Sequence, residues 1–112
     1  MTQLPTGTKS DITAFVRALP FAARAQDLPP RKSGLYFVYD SRAEHILYVG
    51  KAVDFRRRWK LHRLRNMVRD SANIGIYYLV GDASLQSETY FIRKLSPPLN
   101  IAGVDSLAEG AQ

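Results

Sequence analysis

Apolar positions along the chain change period several times, and each change marks an element. Ile12, Phe15, Val16 and Leu19 recur at helical spacing behind Ser10 and Asp11, both good N-caps, which predicts a short amphipathic helix over 11–19. Pro20 ends it or begins another turn, and Ala22-Ala23-Arg24-Ala25 reads as helical. Pro29-Pro30 then enforces an extended break. Leu35-Tyr36-Phe37-Val38-Tyr39 and Ile46-Leu47-Tyr48-Val49 are compact aromatic and β-branched runs, and both read as strands. The polar stretch between them makes a hairpin with a loop of about five residues.

Asp54 is a suitable N-cap for a helix running to about Val68. Ile74 to Val80 reads as a third strand, with Gly75 marking a bulge. Asp82 caps a predicted helix over 83–95, stopped by Pro97-Pro98, and the small polar residues after Gly103 read as a loose tail. The order helix, strand, strand, helix, strand, helix predicts an α+β fold: a small three-stranded antiparallel sheet flanked by helices, with an N-terminal helical extension. Residues 1–30 are expected to be that extension laid on the core, 31–103 the main domain, and 104–112 a flexible tail.

With 112 residues the chain can build one hydrophobic core but not two, and 46% hydrophobic content argues for a folded domain. A net charge of +6 favours a polyanionic partner, although scattered surface cations would give the same total. Distribution separates these readings. Eight of the sixteen cationic residues lie between Lys51 and Arg69, where Asp54 is the sole acid, whereas the rest of the chain is close to balanced. Such concentration suits a surface that tracks phosphates. The absence of cysteine excludes disulfides, thiolate zinc sites and cysteine nucleophiles, and two histidines exclude the common multi-histidine metal sites. No apolar run approaches the ~18 residues of a membrane span, and the first residues lack a secretory pattern, so a cytoplasmic protein without a membrane partner is expected.

On the helix from Asp54, Arg58, His62, Arg65 and Arg69 fall on one stripe, with Leu61, Leu64 and Val68 beside it to face the core. A solvated basic face is the ordinary reading of such a stripe, but this one adjoins the hairpin that carries Tyr48. Lys51, Arg56, Arg57 and Lys60 extend the cationic surface, so with Arg65 and Arg69 they are the candidate nucleic-acid contacts. Tyr36 and Tyr48 sit on strands, where a tyrosine is commonly a half-buried core residue. Either could handle a proton only beside cations or a metal-bound water, because a phenol ordinarily titrates near 10. Gly50 fits a place of close backbone approach. Glu88, in a first helical turn, is either a favourable partner of the helix dipole or the one carboxylate placed to hold a Mg²⁺ ion that keeps water and phosphate as its other ligands. No second carboxylate stands close to it in sequence, which disfavours a two-metal site.

Gly34-Leu35-Tyr36, Tyr48-Val49-Gly50 and the stretch Lys51 to Trp59 together resemble the motifs of the GIY-YIG nuclease superfamily. The similarity covers about residues 33–101 and continues in order through Arg58, His62, Glu88 and the asparagine of Pro97-Pro98-Leu99-Asn100. Leu35 stands where the family usually has isoleucine, and Ser87 where leucine is common. The resemblance implies a DNA endonuclease using one Mg²⁺ or Mn²⁺ held by Glu88. It further implies Tyr36 or Tyr48 at the attacking water, Arg58 and Lys51 at the developing phosphate charge, and His62 in proton transfer or phosphate positioning. Gly34, Gly50 and Asn100 would brace the site. The other open reading is a module of nuclease-like fold that grips nucleic acid or a partner without cutting. A bare catalytic core has few means of reading sequence, so weak specificity, a specificity-conferring partner or a homodimer through residues 1–30 is expected.

Overall fold

The computed structural model describes residues 4–24, 27, 29–61, 71–81 and 84–101. Helix α1 (Lys9–Arg17) starts two residues before its expected position because Thr8, not Ser10 or Asp11, is the cap. The Asp11 N–H donates to Thr8 Oγ1 at 3.2 Å and the Thr8 N–H donates to Asp11 Oδ2 at 2.9 Å, a reciprocal capping box. Ile12 and Val16, one turn apart, are fully buried.

Strands β1 (Phe21–Arg24), β2 (Gly34–Asp40), β3 (His45–Ala52) and β4 (Ile74–Val80) form one antiparallel sheet in the order β1-β4-β2-β3. The α+β class is as expected, but the sheet has four strands rather than three. The extra one comes from the alanine-rich stretch read as helical, paired from Phe21 opposite Tyr78 to Arg24 opposite Gly75. Four short residues carry no period to read, and the free edge of β4 offers their backbone a ladder that overrides helix propensity. The Arg24 N–H and carbonyl are in turn closed by Asp27, whose Oδ2 accepts at 3.1 Å and whose N–H donates at 3.0 Å, so this edge position is blocked within the chain.

The sheet carries a core on each face. On the first, α1 and helix α3 (Leu85–Leu95) pack Ile12, Val16, Phe91 and Leu95 onto Leu35, Phe37, Tyr39, Ile46, Val49 and Leu79. Phe37 and Phe91 meet edge-to-face with centroids 4.9 Å apart. On the second, helix α2 (Phe55–Leu61) packs Phe55 and Trp59 onto Tyr36, Val38, Tyr48, Ala52, Ile74, Ile76 and Tyr78. Simple alternation along β3 would put Ile46 and Tyr48 on the same face. They are separated by a β-bulge: Val38 pairs with Tyr48 and Tyr39 with Ile46, leaving Leu47 as the extra residue. The bulge expected at Gly75 is absent, because Gly75 keeps regular register with both Tyr39 and Arg24.

Asp40 organises the hairpin turn. Its Oδ1 accepts from Asn73 Nδ2 at 2.6 Å, from the Arg42 N–H at 2.9 Å and from the Ala43 N–H at 3.3 Å. Led by the Asn73 bond, these contacts hold its carboxyl below the usual carboxylate range. Helix α3 is capped by Ser84, which accepts from the Ser87 N–H at 3.1 Å, and it stops at Ser96 in the left-handed region with φ 46°. Pro97 ends it as expected, and Pro98 then opens a short helix, α4 (Pro98–Ile101), that sequence reading missed. Asp82, the tail from 102 and the 62–70 part of the helix expected from Asp54 lie outside the described residues.

Candidate active site

Tyr36 and Tyr48 project from adjacent strands onto the second face, with ring centroids 5.9 Å apart and planes inclined at 37°. In the ladder Tyr36 lies opposite Gly50. A Cβ added at Gly50 would stand 2.5 Å from Tyr36 Oη and 2.7 Å from Cε1, so the phenol occupies the space a side chain would need. That is the close approach anticipated for Gly50. Gly34 is required for another reason. Its φ of 149° is unsuited to L side chains, and a Cβ there would run into the Leu79 carbonyl. With Gly34 in place, β2 can start directly against β4 and aim Tyr36 at the second face.

Helix α2 supplies the other wall. Phe55 and Trp59, one turn apart, each present an edge to Tyr36 at 6.3 Å, with interplanar angles of 84° and 70°. The helix entrance is fastened at several points. Asp54 Oδ1 accepts from the Arg56 and Arg57 N–H groups at 3.1 and 3.5 Å, which makes Asp54 the N-cap expected of it. Asp54 Oδ2 pairs with Arg31 at 3.0 Å, the Phe55 N–H donates to the Lys32 carbonyl at 2.9 Å, and Arg56 Nε donates to the Pro29 carbonyl at 2.9 Å. Arg56 therefore spends one donor on holding the 29–32 segment. Arg58 follows on the same helix, half-buried, with its Nε shielded from solvent and its neighbour Trp59 against Tyr36. Arg57 and Lys51 are exposed. Lys51 pairs opposite Leu35, so alternation sets it on the other side of β3 from Gly50.

Asn100 closes the outer edge of β3. Its Oδ1 accepts from the Val49 N–H at 2.8 Å and its Nδ2 donates to the Val49 carbonyl at 2.9 Å. One side-chain amide thereby replaces a neighbouring strand next to Tyr48 and Gly50. Its neighbour Leu99 packs against the second-face cluster.

Glu88 stands on another layer. It lies half-buried in the first turn of α3, after buried Ser87, on the helix that contributes Phe91 and Leu95 to the first face. Since α3 packs against β3, the helix of Glu88 and the strand of Tyr48 are neighbours. His62, Arg65 and Arg69 lie outside the described residues, and Lys60 is known only as a backbone position on α2. Among the described residues no group of three or more His, Cys, Asp or Glu side chains converges, and no helix is long and apolar enough to cross a membrane. Glu88 offers one carboxylate, a hard oxygen ligand, on α3. One carboxylate is chemically compatible with a Mg²⁺ or Mn²⁺ that keeps water and phosphate oxygens as its other ligands.

Several neighbours of the tyrosines escaped sequence reading. Tyr78 pairs opposite Tyr36 in β4 and lies 4.7 Å from Phe55, centroid to centroid. Burial, and then the charge of Asp27, push its hydroxyl above the ordinary phenol range. Phe55 and Trp59, at helical spacing, were the available signal for the aromatic wall. Comparison with family models, with curated proteins and with solved structures finds no match to the chain.

Proposed function

We propose that the protein is a divalent-metal-dependent DNA endonuclease that hydrolyses phosphodiester bonds with one ion, of the GIY-YIG kind its motifs resemble. The observation that carries this reading is the pairing of Tyr36 and Tyr48 at 5.9 Å on one sheet face, against the helix that bears Arg58. One of the two tyrosines, having released its own phenolic proton to solvent, would orient a water as the phenolate and take the water's proton at Tyr36 Oη or Tyr48 Oη. The Arg58 guanidinium, on a helix fastened at its start, stabilises negative charge as it develops on the phosphate oxygens, with His62 in proton transfer or phosphate positioning. Lys51, on the other side of β3 from Gly50, is left to contact the DNA strand away from the tyrosines. Glu88 would hold the Mg²⁺ or Mn²⁺, whose chemistry when bound is Lewis-acid polarisation of the phosphate. Asn100 keeps the edge of β3 closed, and with it the position of Tyr48.

Incubation with supercoiled plasmid and Mg²⁺ or Mn²⁺ tests the reading. Nicking that is lost in Glu88→Ala and Arg58→Ala supports it. No nicking, or nicking that both variants retain, overturns it. A second reading, a nucleic-acid-binding module of nuclease-like fold, is favoured by the depth of the tyrosines: Tyr36 is 3% and Tyr48 0% exposed. Metal-independent, salt-sensitive binding without cleavage supports that reading.

A further inference from the structure

At the turn end of the hairpin, α1 and the β2–β3 connection border an open cavity of about 550 Å³ lined by Lys9, Ser10, Thr13, Arg17, Tyr39 and Glu44. It adjoins the first face, opposite the tyrosine site, and Lys9, Thr13 and Arg17 reach it at i, i+4 and i+8 along one side of α1. The Arg17 guanidinium carbon lies 4.9 Å from the centre of the buried Tyr39 ring, a cation–π contact that tethers it there. Among the described residues neither Lys9 nor Arg17 forms an ion pair with a carboxylate. Lys9 makes its positive field felt nearby: burial first, and then the Lys9 charge, press the pKa of neighbouring His45 down. Glu44, held in the left-handed region at φ 54°, puts one carboxylate on the far rim.

A guanidinium and an ammonium two turns apart, with the Ser10 hydroxyl beside Lys9, suit the oxygens of a phosphate better than an apolar ligand, while the Thr13 hydroxyl is spent on the Lys9 carbonyl at 2.9 Å. We infer that this cavity is a second phosphate-contact site, which takes the sugar-phosphate backbone of a nucleic acid strand at a distance from the tyrosine face. The inference extends the nucleic-acid reading of the protein, and its test does not depend on cleavage. Ionic contacts with phosphates release counterions, so each one lost lowers the slope of log affinity against log salt by about 0.9.

The experiment is fluorescence anisotropy of a labelled DNA duplex with the full chain in EDTA, over a KCl series, with thermal melts to confirm folding. Lys9→Ala and Arg17→Ala are each expected to weaken binding several-fold and to lower the salt slope by about 0.9. Glu44→Gln, which removes the opposing charge and leaves packing intact, is expected to tighten binding about two- to threefold. Folded Lys9 and Arg17 variants with unchanged slopes would refute the site, as would a Glu44→Gln variant that binds no better. Loss of inorganic phosphate binding in the same variants, with duplex affinity unchanged, would assign the cavity to a small anion and likewise overturn it. Nicking by Glu88→Ala and Arg58→Ala variants is read separately, so the endonuclease reading can fail while the cavity site stands.

Discussion

Gly50→Ala isolates the contact on which the tyrosine site is built. The φ of Gly50 lies outside the left-handed region, so alanine is acceptable to the backbone and any penalty comes from the new methyl group. That methyl would stand 2.5 Å from Tyr36 Oη and 2.7 Å from Cε1, where carbon contacts ordinarily settle at ~3.5–4.0 Å. The phenol must therefore move by about 1 Å, yet Phe55, Trp59 and Tyr48 already surround it. Overpacking of this kind costs about 1–3 kcal/mol. The assay is urea unfolding of the protein, Gly50→Ala, Tyr36→Leu and the double variant. Leucine lacks the Cζ, Cε1 and Oη atoms with which the methyl collides. In its background the Gly50→Ala cost is expected to fall below about 0.5 kcal/mol, so that nearly the whole penalty appears as coupling energy. An equal cost in both backgrounds would refute the ring-over-glycine account, and so would a Gly50→Ala variant as stable as the parent.

Two further outcomes follow from single hydrogen-bonding groups. Asn100→Asp keeps the acceptor for the Val49 N–H but sets a carboxylate against the Val49 carbonyl, at an expected cost of about 2 kcal/mol at neutral pH. Protonation restores a donor, so the folded-state pKa of the new acid is raised; relative to the parent, the lost stability returns below ~3.9 and disappears as pH rises through the folded value. Urea midpoints at acid and neutral pH check this, and a pH-independent deficit contradicts it. Asp40 has the opposite sign: its pKa is lowered, first by Asn73, so its contribution is present above the ordinary carboxylate pKa and is lost as pH falls through the folded value. Asn73→Ala is expected to bring the Asp40 carboxyl back towards its ordinary pKa in an NMR titration and to flatten the acid limb of stability. An unmoved titration would show that the turn amides suffice.

Local chemistry was legible in the chain. The two hairpin strands, the third strand at Ile74–Val80, the Asp54 cap and the stop at Pro97 follow from side-chain period, capping groups and proline, all of which act within a few residues. The candidate site was legible as motif order, and the place of Gly50 as a close approach. What local patterns do not encode is which backbone finds which partner. Phe21–Arg24 is a strand because β4 has an edge to offer, although its own residues suggest helix. The run Ile46-Leu47-Tyr48-Val49 is apolar throughout, so nothing in it marks Leu47 as the extra residue; only packing on both faces selects that register.

The sequence by itself therefore determined the inventory: an α+β chain, its tyrosines and glycines, and a cationic stretch behind a capped helix start. The tertiary structure alone decided how that inventory is arranged. It set the strand order, separated Ile46 from the face of Tyr48 by a bulge, put Glu88 on a helix of the opposite layer, and brought Asn100 to Val49 across 51 residues of chain. The reason is that a sheet edge satisfies its amides with whatever the fold delivers, and delivery depends on packing two cores at once.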